Sequence, residues 1–327
     1  FAGALAFDTD GDGRFDSVRK MDMLADAVLA RCDRNDGIKD GVIDDPLSCD
    51  FDPRRDLADE RCAGDVDADD CFTAAQVQTI HDFHAGPHDS QERPIYAGKP
   101  IGSEPGWTRL FIPYTGNRFN PGAVGLGGDH LNYLFYETDP GVAPSDLLDT
   151  SRSANRNALP PEWAWWDFDI NDVPDGKGDV MRQITDATDP DLSRFLVDND
   201  GKLVLYHGWA DALVVPQPTL AYYHDVAETT FDGDLSATRE RARLFMVPGM
   251  GHCRGGNGPD TWDRLRPLVD WVERGTAPDA LIATHQTDGE VDNERPICAV
   301  PQRAVYTGPD GGADDPANWV LENFTCR

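Results

Sequence analysis

Apolar positions along the second half of the chain fall into two kinds of run. From Lys202 to Gly208 a short apolar stretch (Leu203, Val204, Leu205, Tyr206) closes on a glycine, and Arg243–Gly249 repeats the arrangement with Leu244, Phe245, Met246 and Val247. Runs of this length, bounded by turn residues, predict buried strands. Pro218–Thr229 between them predicts a helix. After the second run, Leu265, Leu268, Val269 and Val272 recur at i, i+3, i+4 and i+7, predicting a helix over Asp260–Glu273 that tolerates Pro267 only in its first turn. Residues 178–196 also predict a helix. The order strand, helix, strand, helix places this half in the α/β class with parallel strands.

The first half reads differently. Met21, Met23, Leu24, Ala27, Val28 and Leu29 recur near a 3.6-residue period and predict a helix over 20–32; Thr73 is a fitting N-cap for a second helix over 73–84. From about 85 to 175 the chain is rich in glycine, proline, asparagine and aromatics, including Gly102–Trp107, Phe111–Tyr114 and Trp163-Ala164-Trp165-Trp166. Irregular stretches this long inside a compact protein usually carry function. A substrate-binding lid is one expectation and a plain irregular domain the other. Trp107, Trp163, Trp165 and Trp166, with Leu213, are candidate wall residues, although a tryptophan cluster serves equally as core. The change of character near 176 divides the 327 residues into domains 1–175 and 176–327.

Charge narrows the partners. There are 59 acidic and 29 basic residues, a net of −30, and only five of the basic ones are lysine. A surface this acidic repels phosphate backbones and anionic membranes, so neither nucleic acid nor a membrane surface is an expected partner. No apolar run is long enough to span a bilayer. The chain starts at Phe1 without a methionine and reads as a mature, cleaved or partial product.

Seven cysteines lack any C-x-x-C spacing, which argues against zinc and thioredoxin-type redox chemistry. Local pairing would join Cys32 to Cys49, Cys62 to Cys71 and Cys298 to Cys326, leaving Cys253. Disulfides imply a secreted or periplasmic protein. Two acidic loops are candidate cation sites. In Cys32–Pro46, Asp33, Asp36 and Asp40 are spaced by glycines, with the carbonyls of Ile38 and Val42 between them. Calcium takes six to eight oxygens, and such a loop supplies several. A second candidate set comprises Asp8, Asp10, Asp12, Arg14 and Asp16, where position 19 is arginine rather than the glutamate that closes an EF-hand.

Catalytic chemistry is expected just beyond the two strands. Gly208-Trp209-Ala210-Asp211 follows the first, and Gly249-Met250-Gly251-His252-Cys253 the second. In α/β sheets functional groups collect at the carboxyl ends of strands, and Asp before His is the order of the last two members of a Ser…Asp…His triad. His207 is expected to support the site rather than react.

These residues resemble a known family. The stretches Cys32-Asp33…Asp36-Gly37…Asp40-Gly41-Val42-Ile43-Asp44-Asp45-Pro46, Gly102-Ser103-Glu104-Pro105-Gly106-Trp107, Lys202–Asp211, Val247–Cys253, Trp271–Pro278 and Arg295–Cys298 with Pro301 are similar to tannases and feruloyl esterases, a family that includes hydrolases of aromatic monoesters. The resemblance implies an α/β-hydrolase with a large inserted lid that binds calcium. It implies Asp211 as triad acid and His252 as base, and Asp33, Asp36, Asp40, Ile38 and Val42 as calcium ligands. It also implies a disulfide from Cys253 to a cysteine just before the nucleophilic serine. This chain has no Cys-Ser dipeptide and no G-x-S-x-G, and Ser103 lies in a lid motif. The expectation is therefore the C-terminal part of a secreted esterase whose serine lies outside this chain, either on a cleaved N-terminal chain linked through Cys253 or on an omitted N-terminal part, acting on a small feruloyl, galloyl or terephthaloyl ester. A calcium-stabilised binding protein on a degenerate hydrolase scaffold is the alternative.

Overall fold

The computed structural model describes Phe7, residues 17–108, 110–112, Gly127, His130, 169–173 and 177–327. The chain forms two compact units, neither contiguous in sequence. One comprises Phe1–Leu24, Asp52–Gly98 and Trp107–Ala187; the other comprises Ala25–Phe51, Lys99–Gly106 and Thr188–Arg327. The last change of unit falls at Ala187/Thr188, and the acidic loop after Cys32 and the Gly102–Gly106 motif group with the C-terminal residues.

The first unit is helical. α1 (Ser17–Cys32), which runs on into the second unit, begins three residues earlier than its apolar period predicts; α2 is Pro53–Asp56 and α3 Ala74–Ala85. α3 starts where Thr73 and Gln76 form a reciprocal capping box, the Thr73 hydroxyl accepting from the Gln76 N–H and the Gln76 side chain accepting from the Thr73 N–H. The same Gln76 accepts from the buried Lys20 ammonium at 3.0 Å and donates to Asp67 at 2.9 Å. Such a network rigidifies the unit because every buried polar group in it has a partner. The helix expected over 178–196 is shorter: α4 spans Lys177–Thr185, and only Ser193–Asp198 resumes a helical (π) turn. Pro190 lies in the gap, and proline lacks the N–H a continuing helix needs.

The second unit is built on a parallel pair. β1 (Leu203–Gly208) pairs with β2 (Ala242–Val247) in register from Leu203–Ala242 to Gly208–Val247, and α5 (Gln217–Phe231) with α6 (Leu235–Arg239) makes the crossover. β2 is buried at every position. Its Ala242, Leu244 and Met246 pack with Leu196, Tyr223 and Val226, while Phe245 and Val247 pack on the opposite face with Leu281, Ala283 and Ile297. Burial on both faces is why β2 reads as a continuous apolar run rather than an alternating one.

That second face is covered by an element the sequence reading left unassigned. α7 (Arg266–Arg274) leads into an antiparallel hairpin, β3 (Ala280–Thr287) and β4 (Glu290–Cys298), followed by the small pair β5 (Ala304–Tyr306) and β6 (Phe324–Cys326). The hairpin turns on Asp288-Gly289, both at positive φ, a dipeptide strongly favoured in two-residue turns. α7 begins later than its apolar period predicts. Asp260 and Thr261 instead donate to the Thr284 carbonyl, and Pro267 occupies the first helical turn. Leu265 and Val272 are exposed, and Trp271 is the buried residue of α7. The three local disulfides are formed, and Cys253 is a free, exposed thiol. Among the described residues no helix is long and apolar enough to cross a membrane.

Candidate active site

The parallel register of β1 and β2 brings both following loops to one sheet edge. Backbone bonds then knit the loops together: Trp209 N–H donates to the Val247 carbonyl at 2.8 Å and Ala210 N–H to the Met250 carbonyl at 3.0 Å. Gly208 is required here, because a Cβ would lie 2.2 Å from the Met250 carbonyl oxygen. The result places Asp211 Oδ2 2.9 Å from His252 Nδ1.

Asp211 is buried and fully engaged. Its Oδ1 accepts from the N–H groups of Leu213 and Val214, each at 2.9 Å. Burial acts to raise its pKa, but hydrogen bonds from His207, His252 and those two N–H groups outweigh it and hold the carboxyl below the ordinary carboxylate range. The site therefore contains a carboxylate at neutral pH. An acceptor at Nδ1 fixes the imidazole tautomer with Nε2 unprotonated, the form that can take a proton. The His252 side chain is 46% exposed, and its Nε2 has no hydrogen-bond partner among the described residues. His207 bonds Thr219 at 2.7 Å and the Val214 carbonyl at 2.8 Å, and its Nε2 lies 3.5 Å from Asp211 Oδ2, which leaves it a supporting part.

His252 lies on the wall of a cavity of about 300 Å³, with Trp209, Gly249, Asn257, Arg254 and Glu104 among its lining. Burial pushes the Glu104 carboxyl up to about 7. Ser103 is buried and donates to the Pro100 carbonyl at 2.5 Å, so it is not presented as a nucleophile. Trp107 is fully buried, packed edge-on against Phe83 with ring centroids 5.2 Å apart; it is a core residue and not an exposed wall. Leu213 contributes its backbone N–H, and its side chain is half-buried. Trp163, Trp165 and Trp166, and the first acidic loop with Asp8, Asp10, Asp12, Arg14 and Asp16, lie outside the described residues. Trp209 and Lys99 were missed. Trp209 stands two positions before Asp211 in the sequence, which was a usable signal. Lys99, whose Nζ donates to the Ala212 carbonyl at 2.9 Å across 113 positions, gave none. Burial pushes the Lys99 ammonium down to about 8, against the opposing pull of Asp211.

The loop after Cys32 is a set of turns closed by its own carboxylates. Asp33 accepts from the N–H groups of Asp40 and Gly41, Asp36 from Ile38 and Asp40 from Val42. Arg295, fully buried on β4, pairs with Asp40 and, at 2.8 Å, with Asp44. Burial, reinforced by neighbouring carboxylates, raises the pKa of Asp33, Asp36 and Asp44. Among the described residues no three acidic, histidine or cysteine side chains converge as a ready-made metal set. The donors nonetheless fit a hard cation: all are oxygens, the carboxylates outnumber the one buried guanidinium, and Asp36 Oδ2 is buried without a hydrogen-bond partner.

The chain is similar to known esterases. An uncharacterized esterase of Xanthomonas campestris pv. campestris is 33% identical over 338 residues, covering 93% of this chain and 54% of that protein. The mono(2-hydroxyethyl) terephthalate hydrolase of Piscinibacter sakaiensis is 33% identical over 328 residues, covering 92% of this chain and 51% of its own length. The chain thus spans about half the length of the curated relatives it matches. Among solved structures, feruloyl esterase B from Aspergillus oryzae superposes with a TM-score of 0.68 at 23% identity over 99% of this chain and 60% of that one. The tannin acyl hydrolase from Aspergillus niger gives 0.65 at 21% identity over 100% and 56%. These likenesses show a shared, α/β-hydrolase-like fold. The profile for tannase and feruloyl esterase matches residues 3–320, and the chain belongs to that family.

Proposed function

We propose that this chain carries the acid and base of a serine-type carboxylic ester hydrolase acting on aromatic acid esters, with the nucleophilic serine outside it. The observation that carries the reading is the buried, ionised Asp211 bonded at 2.9 Å to Nδ1 of His252, a residue that lines the cavity. In the reaction, the serine Oγ attacks the ester carbonyl carbon while its proton passes to His252 Nε2. The tetrahedral intermediate collapses as that proton moves to the departing alcohol, leaving an acyl-serine, and His252 then takes a proton from the water that hydrolyses it. Asp211 remains ionised throughout and stabilises the imidazolium. The printed names of the relatives, a terephthalate monoester hydrolase and a probable feruloyl esterase B of Emericella nidulans, support an aromatic acyl group. The exposed Cys253 thiol suits a disulfide to a cysteine preceding that serine, and three formed disulfides support a secreted protein.

The natural polypeptide that includes this segment is expected to hydrolyse methyl ferulate, methyl gallate or mono(2-hydroxyethyl) terephthalate, and His252→Ala to lower kcat about 10⁶-fold, the scale seen when a triad base is removed. Undiminished hydrolysis by that variant would overturn the assignment. If the wild type is folded but hydrolyses no ester, the binding-protein alternative takes over.

The same reading places calcium in the acidic loop, held by the carboxylates of Asp33, Asp36 and Asp40 and the carbonyls of Ile38 and Val42. The ion would supply structural charge compensation. Support comes from the unpartnered Asp36 oxygen and from the cost of crowding desolvated carboxylates. Calcium at a hundredfold excess over Kd should stabilise the fold by about 2.7 kcal/mol, read as a rise in thermal midpoint that EGTA reverses and magnesium does not reproduce. A midpoint indifferent to EGTA and calcium alike rejects the site.

A further inference from the structure

The residue that follows each catalytic side chain has its carbonyl gripped by a long basic side chain from elsewhere in the same unit. After Asp211, the Ala212 carbonyl accepts from Lys99 Nζ at 2.9 Å; after His252, the Cys253 carbonyl accepts from an Arg264 guanidinium nitrogen at 3.1 Å. We propose, resting on the triad reading above, that Lys99 and Arg264 are paired positioning residues that hold the acid loop and the base loop in catalytic alignment.

Each loop has a physical need for an outside anchor. The base loop contains glycines at 249, 251, 255 and 256, so few side chains lock its backbone. Cys253 itself sits at φ 63°, a conformation uncommon for a non-glycine residue that persists only where its surroundings hold it. Arg264 supplies such a hold and is itself fixed. Its guanidinium lies over the Trp262 ring at 4.8 Å and the Tyr206 ring at 5.6 Å, and those rings meet edge-to-face at 5.1 Å. Tyr206 belongs to β1, the strand that launches the acid loop, so the stack ties the base loop to the strand that carries the acid. Arginine suits this role because its planar cation stacks and donates at once. On the acid side, Asp211 spends both carboxylate oxygens on the site, and Lys99 grips the next peptide instead. A chain with five lysines among 327 residues places one of them half-buried at this point.

The test uses the natural polypeptide that includes this segment and an ester it hydrolyses. Lys99→Met and Arg264→Met keep stem length and remove the donor. Each is expected to lower kcat about tenfold while KM stays within about twofold, since a displaced catalytic group affects chemistry more than binding. Lys99→Arg should recover most of the loss, as it restores a donor. Arg264→Lys should recover only part, because it lacks the stacking face. Wild-type kcat in both methionine variants, with His252→Ala inactive, overturns the clamp and leaves the triad standing. Activity retained by His252→Ala overturns the triad reading itself. Should Lys99→Met fail to fold, the solvent-exposed Arg264→Met decides alone, and a loss that tracks its thermal midpoint and is not relieved by Arg264→Lys also counts against positioning.

Discussion

Asp211→Asn should lower kcat about 10⁴-fold with little change in the fold, the magnitude expected when the acid of a Ser-His-Asp triad is replaced by its amide. The structure gives the reason. Oδ2 accepts from His252 Nδ1, and an amide NH₂ in that place would offer a donor to a donor. The imidazole would then turn to the other tautomer, with Nε2 protonated and unable to take the serine proton. Asn retains the volume and keeps an oxygen for the Leu213 and Val214 N–H groups, so the loop stays in place. Steady-state hydrolysis of an aromatic ester, beside a circular-dichroism check of fold, reads the outcome. A loss smaller than tenfold would mean that something other than this carboxylate orients His252.

The second large effect concerns stability. Arg295→Met should destabilise the protein by about 3–5 kcal/mol in calcium-free buffer, the scale for removing one partner of a buried ion pair. Arg295 is fully buried and stands between Asp40 and Asp44, while its guanidinium also lies over the Phe324 ring at 5.1 Å. Methionine fills the space but leaves two carboxylates in a medium of low polarity with nothing opposite them. Denaturant unfolding in EGTA measures the loss, and calcium should return part of it. A change under about 1 kcal/mol would show that those carboxylates are protonated or solvated well enough without the guanidinium.

The parts of this protein legible in its sequence are those set by local pattern. β2 reads as a strand because both of its faces are covered, and Asp211 and His252 stand out because each follows a strand by a glycine turn. The three short-range disulfides follow from proximity along the chain. What failed was set by contacts that pattern does not encode. Strand β4 opens with the polar run Glu290–Glu294, with Val291 its one apolar member, which hid its alternation, although Asp288-Gly289 signalled the turn. The apolar stripe of α7 pointed to Leu265 and Val272, yet Trp271 is the buried side chain. Trp107 has the composition of a binding wall and the environment of a core residue. Lys99, Arg264 and Arg295 act on groups far away or out of phase with any periodicity, so only the folded chain brings them to their partners.

The pairing of Arg295 with Asp40 has a consequence in time. The two residues are 255 positions apart. At synthesis rates of about 5–20 residues per second, the acidic loop emerges roughly 13 to 50 s before the guanidinium that will sit opposite it. Through that interval the loop's like charges face each other with no protein cation from β4. The Cys32–Cys49 bridge, which needs only 17 residues to close, is available long before. The order of emergence therefore makes the loop's first closure a local event and its charge balance a late one, completed only when Arg295, in the last tenth of these 327 residues, arrives.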